Sequence, residues 1–318
     1  MHDPATSVSG RSPDPSTPRR GGKPPKLEPL AAKVPAIGAM FWIIKLITTG
    51  VGEAASDFMG NTFIPLAVVV GVGGMWLAFR WQLRAREYHA PTYWFTVMMV
   101  AVFGTMVADG IKDGTGISYS ITTPFFAVVV GVIFWRWYRS EGTLSIHSIT
   151  TRRREAFYWS AVLGTFALGT AAGDLTAIQL NIGFWPSAAL FAGVMAVPAI
   201  AWKLGLNPIA AFWLCYVVTR PLGASFADGF SKTHAESGLG LGDGLVSVIG
   251  IAVFAVLVAY VARTKGDIQD PAEAHAYDHA PFPHADHLHE QVHPEEQARA
   301  AAAAPRQPLA EQPQTAPR

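Results

Sequence analysis

Lys45, Thr49, Glu53 and Asp57 stand four residues apart inside an otherwise apolar stretch, FWIIKLITTGVGEAASDF. On a helix, steps of four drift by only ~40°, so these side chains form one polar stripe. A lysine and two carboxylates in such a place can hold an ion, relay a proton or bind a charged solute. An ionisable group at the centre of a bilayer costs about 2.5–3.5 kcal/mol on insertion scales, so something must offset it. Asp57 also has counterparts at Asp109, Asp174 and Asp228. Fifteen residues before each stands a tryptophan (Trp42, Trp94, Trp159, Trp213), and five before each a glycine (Gly52, Gly104, Gly169, Gly223). One before each is a small residue: Ser56, Ala108, Gly173 and Ala227. A second echo follows in every unit, AVVVGV at 67–72 and 127–132, AGVMAV at 192–197 and VSVIGI at 246–251. The chain is a fourfold tandem repeat, each unit a two-helix hairpin.

Each offset carries an expectation. Glycine at −5 with a small residue at −1 lets helix backbones approach closely in lipid, where dispersion replaces the hydrophobic drive. Tryptophan at −15 falls near one end of its helix, where an interfacial aromatic belt anchors membrane helices. The aspartates allow two readings, a shared site or a cap at the outer helix end. Lys45 and Glu53 favour a site in repeat one. In repeat four, Thr219 and Arg220 precede Asp228 by nine and eight residues, while repeats two and three offer Thr105, Thr165 and Thr170. Parallel repeats are related by an axis along the membrane normal. If the odd-numbered helices ring that axis, a central cavity gathers Glu53, Asp57, Asp109, Asp174 and Asp228 with Lys45, Arg220 and Thr49. Five acids against two bases favour a cation or proton, and carboxylate and threonine oxygens suit hard ions such as Mg²⁺ or Mn²⁺. Lys45 and Glu53 are separated by ~12 Å of helix rise, so Lys45 is expected to pair with an acid of a neighbouring repeat.

The elements that must position these residues follow from composition. Half the residues are hydrophobic and only 15% are charged, against about a quarter charged in soluble domains. Apolar runs of spanning length lie near 36–57, 63–82, 91–109, 121–138, 155–174, 183–203, 208–228 and 244–262. The expected fold is all-α, a polytopic membrane bundle of about eight transmembrane helices in four hairpin repeats, about 36–88, 91–150, 155–206 and 208–263. Residues 1–33 and 264–318 lack the apolar content to build a core and read as disordered tails. The start does not read as a signal peptide, and the single cysteine, Cys215, leaves no disulfide within the chain. Arg80, Arg84, Arg86, Arg136, Arg139, Arg152, Arg153, Arg154, Lys203 and Arg263 fall on one set of loops and helix ends, against Lys112 and Lys232 on the other. The positive-inside rule then puts both termini in the cytoplasm.

With the echoes at 104/109, 169/174 and 223/228, the stretch FWIIKLITTGVGEAASDF resembles a family of bacterial uncharacterised membrane-anchored proteins built from four tandem two-helix repeats. The likeness covers about 34–263. It implies fold and membrane residence and supplies no activity, so function rests on the residues. No zinc-protease, glycine-elbow, P-loop or dinucleotide motif is visible, which argues against an enzyme, a bound cofactor or an ATP-driven pump. A nucleic-acid role is likewise not expected. The C-terminal stretch HAYDHAPFPHADHLHEQVH clusters imidazoles, among them His279, His284, His287 and His289, a weak metal signal without fixed spacing. The first expectation is a secondary transporter or channel for a cation, divalent or proton-coupled. The alternatives are a proton-coupled transporter of a small organic acid held by Lys45 or Arg220, and a scaffold with no transport. Reporter fusions after Arg86, after Arg154 and at the C-terminus should all report cytoplasm; a periplasmic signal at any of them overturns the orientation.

Overall fold

A computed structural model describes residues 32–269, which contain no strand. Eight long helices account for most of them: α1 (Ala39–Thr62), α2 (Ile64–Arg84), α3 (Ala90–Thr115), α4 (Tyr119–Glu141), α5 (Arg152–Gln179), α6 (Phe184–Lys203), α7 (Pro208–Ser231) and α8 (Asp243–Thr264). Seven are long and apolar enough to cross a membrane. The eighth, α1, is as long, but Lys45, Glu53 and Asp57 interrupt its apolar run. The chain is a multi-pass helical membrane bundle.

Local sequence sets the breaks. Phe63 is extended and Pro65 restarts the chain as α2. Left-handed Gly116 and Gly142 end α3 and α4, a conformation that costs glycine nothing. The side chains of Ser118, Thr151 and Asn207 accept backbone N–H groups at the starts of α4, α5 and α7. Two helices carry π turns, Val69–Gly73 in α2 and Leu175–Gln179 in α5, the latter directly after Asp174.

The helices α1, α3, α5 and α7 form a closed inner ring in repeat order, with α7 meeting α1. Between 61 and 72% of the span is buried in α3, α5 and α7, against 17 to 22% in α2, α4, α6 and α8, which form the outer layer. The aligned glycines are the ring's contact points. A methyl group on Gly52 would lie 2.4 Å from Ala101 Cβ, one on Gly104 2.8 Å from Phe166 Cβ, one on Gly169 2.3 Å from Arg220 Cγ, and one on Gly223 1.8 Å from Thr49 Oγ1. Each glycine thus seats the next inner helix, and the fourth seats the first.

Each repeat is a pair of consecutive helices whose outer member packs chiefly on the next repeat: α2 rests mainly on α3, α4 on α5, α6 on α7 and α8 on α1. One expectation is corrected here, since the aligned tryptophans are not a lipid-facing belt. Trp94, Trp159 and Trp213 are buried, and only Trp42 is half-exposed. Each has an aromatic residue before it, and Phe41, Tyr93, Tyr158 and Phe212 are buried as well. Edge-on and tilted rings from all four repeats fill one end of the ring, an arrangement favoured by the ring quadrupole. The aromatic residue at −16 is thus a further repeat position, written in the sequence as Phe41, Tyr93, Tyr158 and Phe212.

Segments expected to belong to the tails close over this aromatic end. Lys33 Nζ forms a buried ion pair with Glu155 at 2.8 Å, and Gln82 Nε2 donates to the same carboxylate at 3.3 Å. Ala36 N donates to Asp267 O at 2.8 Å, Tyr88 donates to the Asp267 carboxylate, and Gln269 donates to the carbonyls of Val34 and Pro35. The histidines of the C-terminal stretch, His279, His284, His287 and His289 among them, lie outside the described residues.

The ring makes a direct claim about its contact glycines. Gly52→Ala and Gly104→Ala should each lower stability by about 1–3 kcal/mol through overpacking. Gly110→Ala, where nothing lies within 4 Å, should not. Thermal unfolding in detergent separates the two sets, and equal midpoints refute close packing at the aligned glycines.

Candidate functional site

The site grows from residues of all four inner helices at the centre of the ring. Arg220 on α7 is 1% exposed. Its Nη1 donates to the Thr49 carbonyl of α1 at 2.7 Å, and its Nη2 to Thr170 Oγ1 of α5 at 2.7 Å. The same Nη2 forms an ion pair with Glu53 of α1 and donates to Thr105 of α3. One guanidinium therefore touches the other three inner helices. Thr170 can accept because its own hydroxyl donates to the Phe166 carbonyl one turn back, at 3.2 Å. A planar fork of five donors suits this many-sided contact. Gly169 makes room for it, since any side chain there would meet Arg220 and Pro221.

Beyond Arg220, toward the C-terminal ends of the inner helices, the acids collect. One carboxylate oxygen from each of Glu53, Asp174 and Asp228 lies within 4.8 Å of the other two. Asp174 and Asp228 are 6% and 4% exposed. Asp228 Oδ1 is buried and accepts no hydrogen bond. The Tyr119 phenol of α4 faces Asp174. Asp57 and Asp109 are half-exposed at the rim of the same cluster. These helices end here with unsatisfied carbonyls and the negative end of their dipoles, so a carboxylate has nothing to cap. The capping reading of the aspartates fails on that ground, because both groups are acceptors.

A lysine closes the acidic mouth. Lys232 Nζ bonds the Asp57 carboxylate, lies 3.1 Å from Asp243 Oδ1 and 3.9 Å from Asp228 Oδ1. Burial alone would lower the pKa of this ammonium, but Asp57, Asp228 and Asp243 outweigh it and hold it well above the ordinary lysine range. The glycine-rich return loop positions it. Gly240 N and Gly242 N donate to the carbonyls of Lys232 and Ser231, folding residues 238–242 back on the end of α7. A side chain on Gly238 would strike the Lys232 carbonyl. The sequence placed Lys232 only as a loop charge, although it is Asp228 + 4 and extends the same stripe by one turn.

Lys45 departs from expectation. Its ammonium is 1% exposed and has no hydrogen-bond partner. No acid of a neighbouring repeat pairs with it. Instead Nζ sits 4.2 Å from the Phe166 ring centre and 3.8 Å from that of Tyr216, on the aromatic side of Arg220. Cation–π attraction replaces the ion pair, since Glu53 and the four aligned aspartates lie beyond Arg220. Thr49 contributes its carbonyl to Arg220, while its hydroxyl donates to Leu46 O at 2.6 Å. Of the expected set, Glu53, Asp174, Asp228 and Arg220 come together at the centre. Asp57 and Asp109 line the rim, and Lys45 stands apart.

Three segments of the chain, residues 92–143, 157–204 and 211–267, match the family described as Repeat of Unknown Function (DUF347). They coincide with repeats two, three and four. The first repeat lies outside the matched segments yet fills the equivalent quarter of the ring, and it is the one that carries Lys45 and Glu53. No curated protein and no solved structure matches the chain.

Removing one partner of a buried pair leaves an uncompensated charge, at a cost of about 3–5 kcal/mol. Arg220→Met should therefore lower the unfolding midpoint strongly, and Glu53→Gln added to it should recover part of the loss. A double variant less stable than Arg220→Met alone would show that the two side chains are not coupled.

Proposed function

We propose, from the site itself, that this chain, three of whose four repeats match a family of repeats described without an activity, is a secondary transporter or channel for a small cation. The observation that carries this reading is the buried triad of Glu53, Asp174 and Asp228, in which Asp228 Oδ1 accepts no hydrogen bond and has, among the described residues, only the Lys232 ammonium at 3.9 Å for a counter-charge. Acids within a membrane bundle are kept where an ion or proton compensates them. Four parallel helices aim their negative ends at the same point, which adds to the attraction for a cation. Lys232 serves as a tethered counter-ion that an arriving cation displaces from Asp57 and Asp228. Oxygen ligands at this spacing fit a hard divalent ion, with the triad binding it and Asp57 and Asp109 drawing it to the mouth.

The aromatic end is closed by packed rings, which favours a transporter that changes conformation over an open pore. The organic-acid reading loses its anchor, because Arg220 is engaged by Glu53 and Lys45 lies on aromatic rings. In a bacterial inner membrane with both termini cytoplasmic, the acids face the periplasm.

Mg²⁺ and Mn²⁺ are the probes. A bound cation should stabilise the purified protein by about 2.7 kcal/mol at a hundredfold excess over its dissociation constant. Asp174→Asn and Asp228→Asn should abolish that shift and abolish uptake into proteoliposomes. Shifts as large in both variants as in the parent, or no uptake of any cation by the parent, would leave the acids a structural role in a scaffold.

A further inference from the structure

A cavity of about 460 Å³ opens on the side of the bundle where the fourth repeat meets the first. Trp42 of α1 and Phe212 of α7 line its inner side, and Met195, Ala199 and Trp202 of α6 its outer side. Ala199 and Trp202 are exposed as well, so the cavity opens toward lipid within the span of α6. The repeat itself shows that this space can be filled. With AVVVGV at 127–132 set against AGVMAV at 192–197, Ala199 and Trp202 correspond to Phe134 and Trp137 of α4. On α4 the Phe134 ring centre lies 4.8 Å from that of Trp213, the Trp137 ring centre 5.7 Å, and Trp137 is fully buried. Trp42 is the counterpart of Trp213 one repeat on. It meets a methyl group where Trp213 meets a ring, and Trp202 is turned outward, 51% exposed. The missing ring accounts for Trp42 being half-exposed while the other three aligned tryptophans are buried. An indole facing an unfilled space forfeits dispersion contacts until something occupies it.

Two polar features choose the occupant. Lys203, the last residue of α6, directly follows Trp202 and is exposed. A tryptophan and a lysine at a helix end mark the level of the lipid headgroups. Gln269 also lines the cavity. Its amide nitrogen is engaged by the carbonyls of Val34 and Pro35, while its Oε1 is buried and accepts no hydrogen bond. This end of an otherwise apolar cavity thus offers a cation and an unmet acceptor. A phosphate answers the first and a hydroxyl the second.

We propose that the cavity binds one anionic phospholipid with a hydroxyl-bearing headgroup, of the phosphatidylglycerol class, from the leaflet at the aromatic end of the bundle. One acyl chain lies over Ala199 and against Trp42 and Phe212, as the Phe134 ring lies against Trp213. Lys203 holds the phosphate, a charge-assisted contact, and a headgroup hydroxyl donates to Gln269 Oε1. The volume falls within the ~300–1,000 Å³ of built ligand pockets. The lipid fills the seam between α7 and α1, across which Arg220 reaches Glu53, and so supports the closure of the ring. The proposal needs only that the bundle stands in a bilayer, and it is independent of the transport reading.

The test takes the full chain, stripped of lipid in detergent, and titrates it with dioleoylphosphatidylglycerol or dioleoylphosphatidylcholine. Native mass spectrometry counts the lipid retained, and the unfolding midpoint reads the stabilisation. The parent should retain one phosphatidylglycerol per chain and bind it about fivefold more tightly than phosphatidylcholine, one lysine's share at an anionic headgroup. Ala199→Phe supplies the ring that Phe134 supplies on α4. It should unfold at or above the lipid-free parent's midpoint, retain no phosphatidylglycerol and gain no stability from it. Lys203→Gln should fold as the parent does, lose the preference for phosphatidylglycerol and bind phosphatidylcholine unchanged. One phosphatidylglycerol retained by folded Ala199→Phe overturns the site. Equal affinity of the parent for the two lipids overturns it as well, and so does a retained ligand of another mass that neither lipid displaces. Should Ala199→Phe not fold, Lys203→Gln decides, and an undiminished preference for phosphatidylglycerol in that variant overturns the proposal. Neither variant touches the acids, so the transport reading stands or falls separately.

Discussion

Arg220 carries a fixed positive charge at the axis of four helices, in a bundle where water is scarce. The two terminal nitrogens of its guanidinium must find acceptors on several helices at once. Glu53 supplies the opposite charge, and Thr49, Thr105 and Thr170 supply the remaining acceptors. Those partners sit on three different helices. They reach one side chain only if the inner helices stand close enough for glycine at each aligned contact. Glu53 belongs to repeat one and Arg220 to repeat four, so the pair forms only when the end of the ring meets its beginning. Buried ion pairs are poor sources of net stability because desolvation consumes most of the Coulomb gain. Here the pair fixes registry, the ring closure that four similar repeats would otherwise leave open.

The repeats supply a common frame, and the site comes from how they differ within it. Twelve, eight and four residues before the aspartates, the first repeat places Lys45, Thr49 and Glu53, and the fourth Tyr216, Arg220 and Ala224. The second and third have Val97, Ala101 and Thr105, then Val162, Phe166 and Thr170. Four identical stripes would put like charges against like charges at the axis. Instead each layer holds one charge with neutral partners around it, and the result is one asymmetric site.

The bundle is also polar along its axis. At one end the N-terminal turns of the inner helices bring aromatic residues together, sealed by Lys33 with Glu155 and by Tyr88 with Asp267. At the other end the C-terminal turns bring carboxylates together, held by Lys232. Parallel repeats dictate this difference, because every inner helix runs the same way and each end receives four copies of the same helix terminus. Arg220 separates the two chemistries.

Sequence alone determined the helical membrane bundle, the fourfold repeat, and the identity of Glu53, Asp174, Asp228 and Arg220 as candidates. Those features are encoded in apolar length and in fixed spacing along one helix, which a single segment specifies without its neighbours. Tertiary structure alone decided that Arg220 and not Lys45 meets Glu53, that Lys232 closes the acidic mouth, and that the tryptophans fill the bundle rather than face lipid. It also decided that each outer helix covers the next repeat. These depend on which repeat stands beside which and at what height, and spacing within a chain is silent on both. A stripe gives the face a side chain occupies. Only the closed ring gives the partner across the axis, because a charge in low dielectric takes whichever counter-charge the packing brings within reach.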